Sequence, residues 1–136
     1  MNHKYFLISI LLLIALAGSM ILTFEPLSVV CGLESGCELV QSSSYAYTFG
    51  IKNSLYGVGI FPVFSLLAFF QIFRHSDKIE KFLKLSLIIG SAIAIYFLAL
   101  QIFVLQAYCK YCIVVDLSVI FALIVIYSPK RKINFV

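Results

Sequence analysis

The four cysteines of this chain fall into two pairs, Cys31 with Cys37 and Cys109 with Cys112. The second pair is a C-x-x-C in Tyr108-Cys109-Lys110-Tyr111-Cys112, at the mouth of a long apolar segment. A three-residue offset puts Cys109 and Cys112 on one face of a helix start. There the unpaired N–H groups and partial positive charge of a helix N-terminus favour a thiolate, and Lys110 acts in the same sense. The thiolate is the nucleophile of disulfide exchange, so the pattern points to thiol redox chemistry. Asp116 lies four residues beyond Cys112, on the same face and about one turn deeper. An ionisable group inside an apolar span marks a functional position. Asp116 is therefore a candidate for handling protons during a reduction, or else a carboxyl facing a wet cavity or another polar group.

Cys31 and Cys37 have five residues between them. A disulfide closing so small a loop stabilises little, which favours a labile, exchangeable bridge over a static one. A long loop carries such a pair between a soluble partner and the C-x-x-C. Electrons arriving at Cys109 and Cys112 reach the edge of the hydrocarbon, where a membrane-soluble two-electron acceptor, a quinone, fits. The chain lacks the C-x-x-C-H of haem attachment and any nucleotide-binding fingerprint.

The elements that hold these residues are set by composition. The chain is 62% hydrophobic with a mean hydropathy of +1.08, and its charged fraction of 12% is half that of a soluble domain. Its solvent over most of its area is membrane lipid. A net charge of +4 is no footprint for nucleic acid. The expected fold is an all-α integral membrane four-helix bundle, one domain over 1–136, with helices at about 5–24, 57–73, 85–105 and 111–128. The outer loop 25–56 is expected to hold a short interfacial helix between Glu38 and Tyr47. Tyr45, Tyr47, Phe49 and Tyr56 suit a headgroup belt. Gly90, Ser91, Ala92 and Ala94 offer a small-residue packing face. The first segment has a signal-peptide alternative ending near Ala15-Leu16-Ala17, but its apolar run continues through Ile21 and Leu22, which favours a retained helix.

Eight of the ten basic residues lie in the amino terminus, the Arg74–Lys84 connection and the tail. Positive residues stay inside, so both termini are expected in the cytoplasm of a plasma or inner membrane. Both cysteine pairs then lie on the outer, oxidising face, where disulfides persist.

With the two pairs in this order stand Val40-Gln41-Ser42-Ser43-Ser44-Tyr45-Ala46 and Phe49-Gly50-Ile51-Lys52-Asn53-Ser54-Leu55-Tyr56-Gly57. Together they resemble the vitamin K epoxide reductase family, most closely its microbial stand-alone members involved in disulfide bond formation. The resemblance implies a four-helix bundle around a quinone of the menaquinone, ubiquinone or phylloquinone type. It makes Cys109 and Cys112 the active-site pair, with Cys112 facing the quinone. Cys31 and Cys37 become the shuttle pair, with Cys37 exchanging with Cys109. Ser43 matches the family's loop serine, and Asn53 a position that hydrogen-bonds a quinone carbonyl. With Asp116 these are the candidate quinone-binding residues. Many microbial relatives carry a fused thioredoxin-like domain and this chain does not, so a separate extracytoplasmic thioredoxin-fold partner is implied. Asp116 stands where vertebrate members have a tyrosine, a departure that bears on epoxide reduction.

Other readings compete. The chain could be a vitamin K quinone or epoxide reductase proper, or a membrane protein with two static disulfides. A four-cysteine zinc site is a third possibility. No metal is expected, because the first pair is not a tight C-x-x-C and the outer face is oxidising. The analogous four-helix disulfide-generating protein of bacterial inner membranes has its C-x-x-C in the first outer loop, the reverse of the order here.

Overall fold

The computed structural model describes residues 3–25, 39–40 and 42–128. Cys31 and Cys37 lie outside the described residues, as does part of the expected loop helix. Four long helices account for most of the described chain: α1 (His3–Phe24), α2 (Asn53–Phe73), α3 (Asp77–Ala99) and α4 (Lys110–Tyr127). Each is long and apolar enough to cross a membrane, α3 together with the segment that follows it. The chain is thus an all-α, four-helix, multi-pass membrane protein.

Helix formation in lipid is forced, because no water is present to satisfy a broken backbone hydrogen bond. Packing is decided by size rather than polarity. On α1 the buried stripe is Tyr5, Ile8, Ser9, Leu12, Ala15, Gly18, Ser19 and Leu22, at three- and four-residue steps. Phe6, Leu7, Leu13 and Met20 point outward, where lipid replaces water. Small residues at these steps let backbones approach closely. A Cβ added at Gly18 would stand 2.6 Å from Val115 Cγ2 of α4, and one at Gly57 would stand 2.5 Å from Ser19 Oγ of α1. Buried hydroxyls join the same pair of helices further along, with Ser9 Oγ 3.2 Å from Ser65 Oγ.

α1 therefore packs tightly on both α2 and α4, and α4 packs on α3. α2 and α3, although consecutive, touch each other far less. A hydrophobic cluster of Tyr5, Ile8, Leu12, Ala68, Ile72, Leu83, Leu87, Val119, Ala122 and Ile126 closes the bundle at the α2–α3 turn end. A smaller cluster of Leu22, Val40, Ala107 and Cys109 sits at the opposite end.

Three boundaries differ from the sequence expectation. α2 starts at Asn53 rather than at 57, because the loop before it ends in a small antiparallel hairpin, β1 (Tyr47–Thr48) with β2 (Ile51–Lys52), that leads directly into the helix. α3 starts at Asp77, inside the expected charged connection. The turn before it is locked by Gln71, whose Nε2 donates to Ser76 O and whose Oε1 accepts from Ser76 N–H. Asp77 and Glu80 occupy the first turn of α3, where the helix dipole favours acidic groups. The expected loop helix is reduced, within the described residues, to short helical pieces ending in a 3₁₀ turn at Ser44–Ala46, and Tyr47 is in a strand. Gly90, Ser91 and Ala94 do pack inward or against α4, whereas Ala92 is exposed, being about 200° around the helix from Gly90.

The close approach of α1 is testable. Gly57→Ala should destabilise the bundle by about 1–3 kcal/mol through overpacking against Ser19 and Phe61. Gly59→Ala, whose Cβ meets nothing within 4 Å, should be neutral or slightly stabilising. Thermal melting of both variants in one detergent checks the difference.

Candidate active site

Cys109 is the cap of α4. Its backbone is extended at φ −112°, ψ 117°, and its carbonyl accepts the first helical bond from Ile113 N–H at 3.0 Å. Cys112 is then at the third helical position. Cys109 is fully buried in the outer cluster with Leu22, Val40 and Ala107, and Cys112 is half-buried beside it.

Between the splayed α2 and α3 lies a cavity of about 510 Å³, within the range of small-molecule sites. All four helices and the hairpin line it. Its wall is mostly apolar, with Leu12, Leu22, Phe61, Phe64, Leu87 and Phe97 among the lining groups. Cys112 and Asp116 face it from α4, Gln101 from the end of α3, and Ser43 and Asn53 from the loop side. Cys109 is not on the cavity wall but behind it. The C-x-x-C is thus divided between two environments, one sulfur-bearing side chain at the cavity and one in the buried cluster that includes the loop residue Val40.

Asp116 is buried, and its Oδ2 has no hydrogen-bond partner among the described residues. A buried oxygen left unsatisfied costs about 1–3 kcal/mol.

Ser43 and Asn53 have structural partners as well as cavity positions. Ser43 Oγ donates to Val40 O at 2.8 Å. Asn53 Oδ1 accepts from Thr48 Oγ1 at 2.6 Å, and its Nδ2 donates to Tyr45 O at 2.7 Å. Tyr56 adds a bond from its hydroxyl to Thr48 O at 3.0 Å. Asn53 therefore pins the hairpin over the cavity and keeps one amide hydrogen for whatever fills it. At the hairpin tip Phe49 and Gly50 both have positive φ, 55° and 78°, as a tight two-residue turn demands. Tyr45, Phe49 and Tyr56 line the cavity, so three of the four aromatics expected as a headgroup belt form its outer wall. Lys52 Nζ donates to Leu22 O, placing a cation at the C-terminal end of α1.

Sequence reasoning missed Gln101. It follows α3 in a segment of wider, π-type helix, Leu100–Val104, and is buried. Its Oε1 accepts from Cys109 N–H at 3.0 Å. The available signal was that it is the one side-chain amide in the expected third span, 85–105.

Four helices long and apolar enough to cross a membrane surround an apolar cavity, with one cysteine of a C-x-x-C on its wall. The chain belongs to the vitamin K epoxide reductase family, whose model matches residues 6–127. No curated protein and no solved structure matches it. It is accordingly a membrane oxidoreductase of a family that in general uses a quinone as electron acceptor. The cavity suits such a ligand: its walls are apolar, as a flat apolar ring requires, and the spare Asn53 amide hydrogen is a donor for a carbonyl oxygen.

Asn53→Ala removes both ties to the hairpin. Limited proteolysis should then cut between Tyr45 and Lys52 several-fold faster than in the wild type, while Ser54→Ala, outside those ties, leaves the rate unchanged.

Proposed function

We propose that this protein is a membrane thiol:quinone oxidoreductase that drives disulfide formation in exported proteins. The observation that carries the reading is the division of the C-x-x-C, with Cys112 on the wall of the cavity and Cys109 buried behind it toward the loop. The 1–136 chain acts as one membrane domain, both termini inside and both cysteine pairs outside. A thioredoxin-fold protein outside the membrane gives up two electrons to the Cys31–Cys37 disulfide and becomes oxidised. The Cys31 and Cys37 thiols then reduce the Cys109–Cys112 disulfide through a transient Cys37–Cys109 bridge. The Cys109 and Cys112 dithiol returns to a disulfide by releasing two electrons and two protons into the cavity. A quinone bound there supplies a two-electron, two-proton acceptor.

The packing supports the route. Val40, three residues after Cys37, shares the buried cluster of Cys109. Three residues span at most about 11 Å, so exchange between Cys37 and Cys109 needs no long excursion of the chain. Asp116, one turn below Cys112 on the cavity wall, is placed to hold or pass a proton released as the dithiol closes. Ser43 and Asn53 shape the outer end of the cavity, and Asn53 orients a carbonyl of the acceptor with its remaining N–H.

Cys109→Ala or Cys112→Ala should abolish quinone reduction with any thiol donor. Cys31→Ala should spare reduction by dithiothreitol, which reaches the inner pair directly, yet stop it with a thioredoxin-fold donor. Equal loss in all three with dithiothreitol would sink the relay. Asp116→Asn should lower kcat about 10²-fold, the scale of a lost proton-transfer group. It should still let the Cys109–Cys112 disulfide be reduced by dithiothreitol, as read by alkylation.

A further inference from the structure

We propose that Gln101 is the positioning residue for Cys109. It fixes the main chain of that cysteine at the cap of α4, so that only the side chain moves when the sulfur changes partner. The consequence for turnover rests on the relay reading above; the positioning itself does not.

The connection between α3 and α4 is short and has no regular structure from Leu105 to Cys109. Gln101 holds it at two points. Its carbonyl accepts Ala107 N–H at 3.1 Å, and its side-chain Oε1 accepts Cys109 N–H at 3.0 Å. The wider helical turn makes this possible. Leu105 N–H reaches back five residues to Leu100 O at 2.8 Å. That extra residue per turn rotates the end of α3, and such bulges recur at functional sites. Gln106 follows with φ 49°, a left-handed residue that reverses the chain and returns Ala107 to Gln101.

The amide of a cap residue has no acceptor inside its own helix. Cys109 is 0% exposed and Gln101 3% exposed, so neither end of this bond has ready recourse to bulk water. A buried N–H must be paired, and here the glutamine pairs it. Disulfide chemistry makes the placement matter. A bridge forms only within a narrow window of Cα separation, roughly 4.4–6.8 Å. A cysteine that must meet that window with two partners in turn needs a fixed Cα and a free χ1. The bond to Gln101 meets the first need through the main chain and does not engage the cysteine side chain.

Gln101 also touches the cavity, so a role as a ligand contact is the competing account, and the two differ in what they move. Three full-length variants in detergent decide: Gln101→Glu keeps an acceptor oxygen at the same reach, Gln101→Met keeps the length without it, and Gln101→Asn is too short to reach Cys109. The first readout is the thiol–disulfide equilibrium of Cys109–Cys112 in dithiothreitol buffers, measured by alkylation and mass spectrometry with no quinone present. Gln101→Met and Gln101→Asn should shift the equilibrium constant about tenfold, about 30 mV for a two-electron couple, and Gln101→Glu should stay within about twofold of wild type. With dithiothreitol and a short-chain quinone, the first two should lose about tenfold in kcat at unchanged KM.

An unchanged equilibrium in all three variants overturns the proposal. So does a raised KM at unchanged kcat, which would make Gln101 a quinone contact, or a Gln101→Glu variant as impaired as Gln101→Met. If Gln101→Met does not fold, Gln101→Asn supplies the comparison, and failure of both while Gln101→Glu folds would mark a residue needed for folding alone. A wild type that reduces no quinone would refute the relay reading, while the equilibrium measurement still decides the role of Gln101.

Discussion

The close approach of α1 to α2 and α4 is the contact on which the rest of the bundle depends. Lipid tails are as apolar as leucine, so no hydrophobic force gathers helices inside a membrane, and van der Waals contact between backbones takes its place. Gly18 and Gly57 remove the side chains that would hold α1 away from its neighbours. With α1 as the common partner, α2 and α4 lie on either side of it and α3 packs on α4. The space left between α2 and α3 is the cavity. A fourth tight contact there would have produced a solid bundle with no room for a ligand.

The outer end of the cavity is built from backbone breaks, and each break uses a side chain to satisfy polar groups. Lys52 covers the end of α1, Ser43 and Asn53 hold the loop and hairpin, and Gln101 holds the connection into α4. Irregular backbone survives near the hydrocarbon only where protein or a ligand cavity receives its hydrogen-bonding groups. The polar residues around the site thus serve two ends at once. They repair the breaks, and Asn53 keeps an amide hydrogen beside the cavity. At the opposite end Gln71 makes the same kind of repair, pairing both amide atoms of its side chain with the backbone of Ser76 in the α2–α3 turn. Around that turn His75 lies 3.2 Å from Asp77 and 3.3 Å from Glu80, and Glu80 pairs with Lys84 at 3.2 Å, a partly exposed ion pair that water screens and that contributes little.

The cysteine pair illustrates how local geometry becomes chemistry. A C-x-x-C wholly within a helix would show both side chains to one environment. Here the first cysteine is the cap and the second is one turn in, so the helix start itself divides the pair between the outer cluster and the cavity.

Composition and order along the chain were enough to determine four apolar spans, the C-x-x-C at the start of the last, and the depth of Asp116 one turn beyond it. These depend on length, hydropathy and the pitch of a helix, all of which are local. Ser43 and Asn53 were legible as candidates through the motifs around them, although not as the residues that secure the loop. What tertiary structure alone decided was which face of each uniformly apolar helix turns inward, since polarity does not distinguish a lipid-facing leucine from a buried one. It also decided that the hairpin and its aromatics fold over the cavity, and that Gln101, eight residues before Cys109, is the partner of that cysteine's amide. The reason is the same in each case: these contacts join segments whose registry is set by close packing between helices, a property of shape that no run of neighbouring residues contains.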